Sequence, residues 1–514
     1  MSLTKSSSIV GIMTLASRVL GFVRDQVMAI VYGAGALTDV FLVAFKIPNF
    51  LRRLFAEGAF AQAFVPVFTE YKETKSPAAL RDLAAHVLGT LAIILLVIST
   101  LGVMLAPLLV MLFAPGFIDD PERFNLATHM LRITFPYLFF VSLLAYAGSI
   151  QNTFGRFAVP SFTPVLLNVC MIAAALWFSP MFDKPIVALA WGVFVAGAVQ
   201  LALQLPFLQQ LGLLPRPRWG WKHSGVRRIL KLMAPAILGS SVAQINLLLD
   251  TIIASFLTVG SLSWLYYSDR LMEFPLGLLG VTLGTVILPR LSKEHARSAA
   301  EQFQRTIDWA LRLVCLIGIP SAIGLILLAA PMISTLFEYG KFKPSDTIMA
   351  SYSLIAYAIG LPAFILIKIF APAFFARQNT KTPVRIGIIA LISNMAYNLI
   401  LVLPMVWFGF TAPHTALAIA TSLSAWQQAW MLYQKLNQTN IYRFSDELIA
   451  FCKRMSIAWF VLAVVIWAIS TADWHALSAT ARAWKLLVII VVSAGSYAAA
   501  LFALGIRPKD IASP

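Results

Sequence analysis

The sequence predicts an all-α integral membrane protein of about fourteen transmembrane helices. Twelve would form two six-helix lobes, parallel repeats related by a pseudo-twofold axis, and two extra helices would follow at the C-terminal end. Three observations carry this prediction: long apolar runs, a one-sided distribution of basic residues, and a weak internal repeat.

The apolar runs come first. The 514 residues are 60% hydrophobic and 12% charged, against roughly 25% charged in an average soluble domain. Runs such as Leu91–Phe113, Val165–Phe178, Ile186–Leu205 and Leu486–Leu504 suit the roughly 20 residues that a helix needs to cross a bilayer. Hydropathy and Gly/Pro punctuation place helices near 8–32, 37–70, 83–113, 124–152, 160–178, 185–210, 226–256, 261–290, 302–329, 331–337 continuing through 347–376, 383–405, 411–435, 446–470 and 482–505. Residues 338–346 read as a loop. Ile9–Ala16 follows Lys5 in the manner of a signal peptide, but the segment runs on through Arg18, Arg24 and Asp25 into more apolar sequence. It therefore reads as a retained first helix.

Net charge is +17, and the placement of that charge decides its meaning. Sorted by alternate loops, Lys and Arg number 24 on one side, richest over Arg216–Lys231, and 6 on the other, including Arg482. The basic side faces the cytoplasm, so both termini lie inside. This pattern points to a membrane and to no nucleic acid. Cys170, Cys315 and Cys452 sit in apolar segments without CxxC spacing, and the six histidines form no HxxxH pair. Neither a disulfide framework nor a histidine metal site is indicated.

The repeat pairs GALTDVF (35–41) with GSLSWLY (260–266), FVPVFTE (64–70) with ILPRLSK (287–293), and QNT…P at 151–153 and 160 with QNT…P at 378–380 and 383. An even number of helices per copy keeps both copies in one orientation, with a central cavity expected at their interface. The organisation reads as an N-lobe over 1–215, a linker over 216–231, a C-lobe over 232–440 and two further helices over 441–514. The stretch PRPRWGWKHSGVRRILK (215–231) sets Trp219 and Trp221 among cations, as in segments that lie on anionic headgroups.

Six cations sit deep in the first, second and eighth helices: Arg18, Arg24, Lys46, Arg52, Arg53 and Arg270. At 1.5 Å per residue, Arg18 and Arg270 lie about 15 Å deep, near the midplane. Helical spacing places Thr14, Arg18, Gly21 and Asp25 on one face, and Asp39, Lys46, Asn49, Arg53 and Glu57 on another. A third carries Ser263, Tyr266, Arg270, Glu273 and a run of glycines. Each central Arg costs about 2.5–3.5 kcal/mol on insertion scales, so the set calls for compensation. Two readings stand. The cations pair internally with Asp25, Asp39, Glu57, Asp269 and Glu273, or they line a polar cavity whose guanidinium forks grip a phosphorylated, diphosphate-bearing substrate. Lys368 either joins that cavity or snorkels. Asp308 and Arg312, four residues apart, read as a structural pair. Asp250, with Asn394 and Asn398 one turn apart, offers oxygen ligands for a small cation or an interhelical hydrogen-bond network. Asp119, Asp120 and Glu122 read as solvated surface, and short loops leave no room for the catalytic carboxylates of a glycosyltransferase.

SRVLGFVRD (17–25), YGAGALTD (32–39), AFKIPNFLRRLFAEGAFAQAFVP (44–66), MAPAILG (233–239), YYSDRLMEFPLGLLGVTLGTVILPRLS (266–292) and TKTPVRI (380–386) resemble the MurJ (MviN) family, the lipid II flippases of bacterial peptidoglycan synthesis. That family belongs to the multidrug/oligosaccharidyl-lipid/polysaccharide exporter superfamily. The resemblance covers the whole chain. It implies two lobes around a central cavity that alternates its access, with the last two helices grooved for the polyprenyl tail. It further implies that Arg18, Arg24, Arg52 and Arg270 meet the diphosphate or sugar headgroup, with Arg53, Asn49 and Ser263 beside them. Asp25, Asp39, Lys46, Glu57, Asp269, Glu273 and Lys368 become cavity charges. A sodium ion, bound in some members through helices 7, 11 and 12, would fall at Asp250, Asn394 and Asn398, although Asn398 stands where some relatives have Asp. Lipid II, membrane lipids and the cell-wall synthesis machinery are the implied partners of a monomer in a bacterial inner membrane. Neither catalysis nor any cofactor beyond sodium is implied. The alternatives are a flippase for another polyprenyl-linked oligosaccharide, or a multidrug exporter of the superfamily, which would favour an acid-rich cavity.

Overall fold

The computed structural model describes residues 3–53, 60–471 and 473–507. Among them every regular element is helical. The chain packs as two compact units, Met1–Leu262 and Ser263–Pro514. The division falls later than the linker read from the repeat.

The first unit contains α1 (Leu3–Tyr32), α2 (Ala36–Arg52), α3 (Ala61–Thr74), α4 (Pro77–Met104), α5 (Ala106–Phe113), α6 (Pro121–Thr134), α7 (Tyr137–Thr153), α8 (Ala158–Ala173), α9 (Val187–Gln210) and α10 (Ser224–Ser255). α1 packs on α8, α2 on α6, α3 on α7 and α10, and α9 on α7 and α8. Phe60, Phe64, Phe68 and Tyr146 form an aromatic ladder in one core. Helix starts follow local chemistry. Ser76 accepts from Ala79 N before Pro77, and Asp120 accepts from the N–H groups of Glu122 and Arg123 before Pro121. Each supplies an N-cap oxygen followed by a proline whose missing N–H costs nothing at that position. Proline inside a helix acts differently. Pro48 cannot donate to the carbonyl of Ala44, and Thr134 Oγ1 of α6 donates to that oxygen at 2.8 Å instead. The break in α2 thereby becomes a crosslink between helices.

The second unit contains α11 (Ser261–Ala296), whose first two residues belong to the first unit, then α12 (Ala300–Leu313), α13 (Ile319–Leu327), α14 (Ala329–Leu336), α15 (Pro344–Phe375), α16 (Lys381–Trp407), α17 (Thr415–Gln438), α18 (Asp446–Ser470) and α19 (Ala479–Ala503). α15 is central and packs on α13, α14 and α17. Trp264 Nε1 donates to Asp346 Oδ1 at 3.0 Å and Ser268 Oγ to Ala350 O at 2.6 Å, tying α11 to α15. α18 and α19 pack on each other and reach the rest through α13 and α14. Cys315 and Cys452 meet there with sulfurs 3.4 Å apart.

The duplication is visible in the register of the elements. α4 and α12 start at 77 and 300, α5 and α14 at 106 and 329, α6 and α15 at 121 and 344, and α8 and α16 at 158 and 381. Each difference is 223, matching the sequence motifs. Even the helix break at Leu105 (φ −88°, ψ 11°) recurs at Leu328 (φ −107°, ψ 17°). α18 and α19 lie outside the repeat.

Nine helical segments among the described residues are long and apolar enough to cross a membrane. The chain is a multi-pass membrane protein, though composition alone does not return fourteen spans. α1 carries Arg18, Arg24 and Asp25, α2 carries Asp39, Lys46 and Arg52, and α11 carries Asp269, Arg270 and Glu273, while α17 is lowered in hydropathy by its amides and hydroxyls. The expected tenth helix is two, α14 and α15. The intervening 337–343 segment is a turn in which Phe337 and Phe342 pack on Tyr267.

Candidate functional site

The first-unit charges lie on α1 and α2, in very different settings. On α1 the polar face runs from open to closed: Thr14 and Arg18 are exposed, Gly21 is half-buried and Asp25 is buried. Arg18 makes no hydrogen bond or ion pair with another described residue. One and a half turns on, Arg24 is enclosed. Its Nε and Nη2 donate to Asp25 Oδ1 at 2.9 and 2.7 Å, and its Nη1 donates to Asn168 Oδ1 of α8 at 3.1 Å. Asn168 in turn donates to Ser17 O. Internal pairing therefore describes Arg24 and Asp25.

On α2, Asp39 is buried and accepts from Gly260 N at 2.7 Å. Gly260 has φ 100°, a backbone that a side chain would strain. Asp39 thus holds the turn that launches α11. Lys46 Nζ donates to Thr251 Oγ1 of α10 at 3.1 Å. Arg52 Nε donates to Asn49 Oδ1 at 2.9 Å, one turn back on the same helix, and Arg53 caps α2 with its N–H on Asn49 O and Phe50 O. Arg52 and Arg53 are half-buried. Asp250 is half-buried in α10. Glu57 lies outside the described residues.

In the second unit Arg270 lies over the Tyr266 ring, 4.9 Å from its centroid, with Nη1 2.9 Å from Glu273 Oε2. Both side chains stay accessible, at 33% and 47%. Ser263 is buried and Asp269 half-buried. Lys368 of α15 lies across Gly280 of α11, where a Cβ would stand 2.6 Å from Nζ. Asn398 Nδ2 donates to Asn394 Oδ1 at 3.1 Å, and Asn394 Nδ2 reaches Thr421 Oγ1 at 3.5 Å. The first bond lies within α16 and the second reaches α17.

Asp308 and Arg312 do not pair. Asp308 accepts from the Tyr442 hydroxyl, while Arg312 goes to Glu447 Oε2 at 3.2 Å and over the Phe451 ring. Tertiary partners outbid the i,i+4 neighbour, whose contact is worth only a few tenths of a kcal/mol. Asp120, read as solvated surface, caps α6, and the Arg123 backbone N–H holds its carboxyl below the usual range. Two clusters escaped the sequence reading. Glu338 is buried against Arg482 (3.1 Å), His475 (2.9 Å) and the Thr347 hydroxyl (2.6 Å). Asp82, His86 and His223 also converge, the two imidazoles stacked at 5.0 Å. Sequence spacing hides the latter, because His223 lies 137 residues beyond His86. Gly225 N–H donates to His223 Nδ1, which leaves that ring's proton on Nε2, facing Asp82 Oδ2 at 3.5 Å. The three side chains form one stacked, charge-paired cluster.

Apolar spans and a duplicated helix register define a multi-pass, internally repeated helical membrane fold. A solved structure of a multidrug resistance MATE family transporter of the MOP superfamily shares it with a TM-score of 0.67 at 13% identity, over 82% of this chain and 95% of that one. The chain belongs to the lipid II flippase MurJ family, whose profile matches residues 28–488. A probable lipid II flippase MurJ of Vibrio cholerae is 48% identical over 99% of this chain and 97% of its own length. A structure titled lipid II flippase MurJ, inward closed conformation, matches with a TM-score of 0.80 and 28% identity, over 97% and 99% of the two chains.

Proposed function

We propose that this chain moves lipid II, an undecaprenyl-diphosphate-linked peptidoglycan precursor, from the cytoplasmic to the periplasmic leaflet of a bacterial inner membrane. It does so by alternating access, without catalysing a reaction. Both termini lie in the cytoplasm, in keeping with the loop charges. One observation carries the reading: Arg18, about 15 Å along a membrane helix, is accessible and has no protein anion among the described residues. Such a group suits a doubly charged pyrophosphate, which a guanidinium fork holds through paired oxygens. Arg52 and Arg270 add half-accessible forks. Arg24 acts on the substrate only indirectly, by fixing α1 to α8. The polyprenyl chain stays in lipid along α18 and α19, which expose Phe460, Trp467, Trp484 and Val491.

The test is reconstitution with lipid II, reading outer-leaflet exposure across an imposed voltage. A crossing charge gains about 2.3 kcal/mol per 100 mV, so rate should follow voltage. Losing one charge-assisted contact of about 1.5–3 kcal/mol makes Arg18→Ala and Arg52→Ala roughly tenfold to a hundredfold slower. Wild-type exposure by both variants overturns the reading. Replacing sodium in the same assay tests ion coupling, for which Asp250, Asn394 and Asn398 are the candidate ligands. A second reading, another polyprenyl-linked oligosaccharide, shares the diphosphate and the tail; it predicts competition by that lipid and none by lipid II.

A further inference from the structure

The basic linker is moored to the protein rather than draped on it. Arg218 N donates to Ala85 O and Gly220 N to Thr90 Oγ1, each at 3.0 Å. Gly89 makes this possible, since a Cβ there would land on the Arg218 backbone. Trp219 and Trp221 stack in parallel, 6.0 Å apart, and stay half exposed. With His86, Lys222 and His223 they line an open recess of about 650 Å³. The negative charge of Asp82 is already engaged, with Arg218 Nη1 at 3.5 Å and both histidines. The recess therefore presents Lys222 beside two indoles, and Arg218 adjoins it in sequence while sharing its charge with Asp82.

A second cavity, of about 250 Å³, continues along the same two helices. His86 and His223 belong to the recess; Val87 of α4 and Val226 of α10 begin the slot, which runs to Ile98 and Ile237. Eleven residues of helix make it about 16 Å long, roughly one leaflet of a 30 Å hydrocarbon core. Its volume equals about eight water molecules at ~30 Å³ each. Yet only two of its fourteen described lining residues, Thr90 and Ser142, are polar. Thr90 Oγ1 is occupied by Gly220. Ser142 is 3% exposed and its hydroxyl has no hydrogen-bond partner among the described residues. It lies one turn from Tyr146, whose hydroxyl donates to Ala84 O near the mouth.

A cationic, indole-lined recess above a leaflet-deep carbon slot, with one unsatisfied donor near the top, has the shape and polarity of a single amphiphile. We propose that it binds one anionic phospholipid. The phosphate sits among Arg218, Lys222 and the tryptophans, one acyl chain lies between α4 and α10, and Ser142 donates to an ester carbonyl. The inference goes beyond the transport reading and does not rest on it.

Native mass spectrometry of the purified full chain, offered phosphatidylglycerol and phosphatidylethanolamine together, tests this. The wild type should retain one phosphatidylglycerol with a preference of about tenfold or more, from two cations at the headgroup. Ile94→Trp, which fills the slot, should lose the adduct, and the double change Arg218→Glu and Lys222→Glu should erase the preference. Equal retention of both lipids, undiminished retention by Ile94→Trp, or displacement by equimolar lipid II each overturns the proposal. Should Ile94→Trp not fold, wild-type protein with phosphatidylglycerol bearing an acyl-chain diazirine should crosslink to α4 and α10; labels confined elsewhere overturn it.

Discussion

Arg482 and Arg270 sit in the same unit and each faces a glutamate, but they are solvated in opposite ways. Arg482 is buried, and its donors reach Glu338 Oε1, Ser334 O, Leu477 O and His475 O. Arg270 meets a glutamate on its own helix and rests on a tyrosine ring, a third accessible. Saturation by several backbone carbonyls marks a charge retained for structure. A charge that stays partly accessible can still be reached by a ligand.

That contrast can be broken from either side. Removing one member of a buried pair leaves an uncompensated charge, at about 3–5 kcal/mol. Arg482→Ala or Glu338→Ala should accordingly give the largest fall in thermal stability in detergent. A wild-type melting temperature for both would dissolve the distinction. Arg270→Ala should behave in reverse: stability within about 1 kcal/mol, as for accessible pairs, with lipid II exposure reduced roughly tenfold to a hundredfold. Loss of folding rather than of transport would reassign Arg270 to structure. Gly89→Ala should cost about 1–3 kcal/mol by overpacking the linker against α4, seen as faster proteolysis within 213–223.

The smallest effect belongs to the exposed pair of Arg228 Nη1 and Glu70 Oε2, 2.8 Å apart. Arg228 holds the Glu70 carboxyl below its ordinary 4.5. Whatever this contributes is present above that value and fades as pH falls through the lowered one. Arg228→Gln should leave the melting temperature at pH 7 unchanged, and the two proteins should converge in acid. A clear difference at pH 7 would show that accessibility is a poor guide to a charge's worth here.

Much of the fold was legible because the membrane imposes a simple code of length and apolarity, and because offsets of 223 to 227 residues survive in motifs such as QNT…P. The odd charges were legible for the same reason, since an arginine in an apolar helix stands out. Their partners were not. Asn168 lies 144 residues from Arg24, Thr251 205 from Lys46 and Gly260 221 from Asp39, and nothing local specifies these meetings. A lone amide in the run VLLNVC was the one available hint, since such a group needs a partner across helices. Asp308 and Arg312 show the converse error, a local rule overridden by Tyr442 and Glu447. Arg482, counted as a loop cation, is a buried lock because Glu338 arrives from a distant turn.

The partly accessible guanidinium groups sit on α1, α2 and α11. At about 2.5–3.5 kcal/mol per central charge, these helices partition poorly by themselves. During synthesis they must wait at the translocon, or beside it, until companions such as α8 and α6 give Arg24 and the Pro48 break somewhere to bond. Biogenesis of the first unit is thus cooperative by necessity: the parts with the most to do in the finished protein are the last able to enter the bilayer alone.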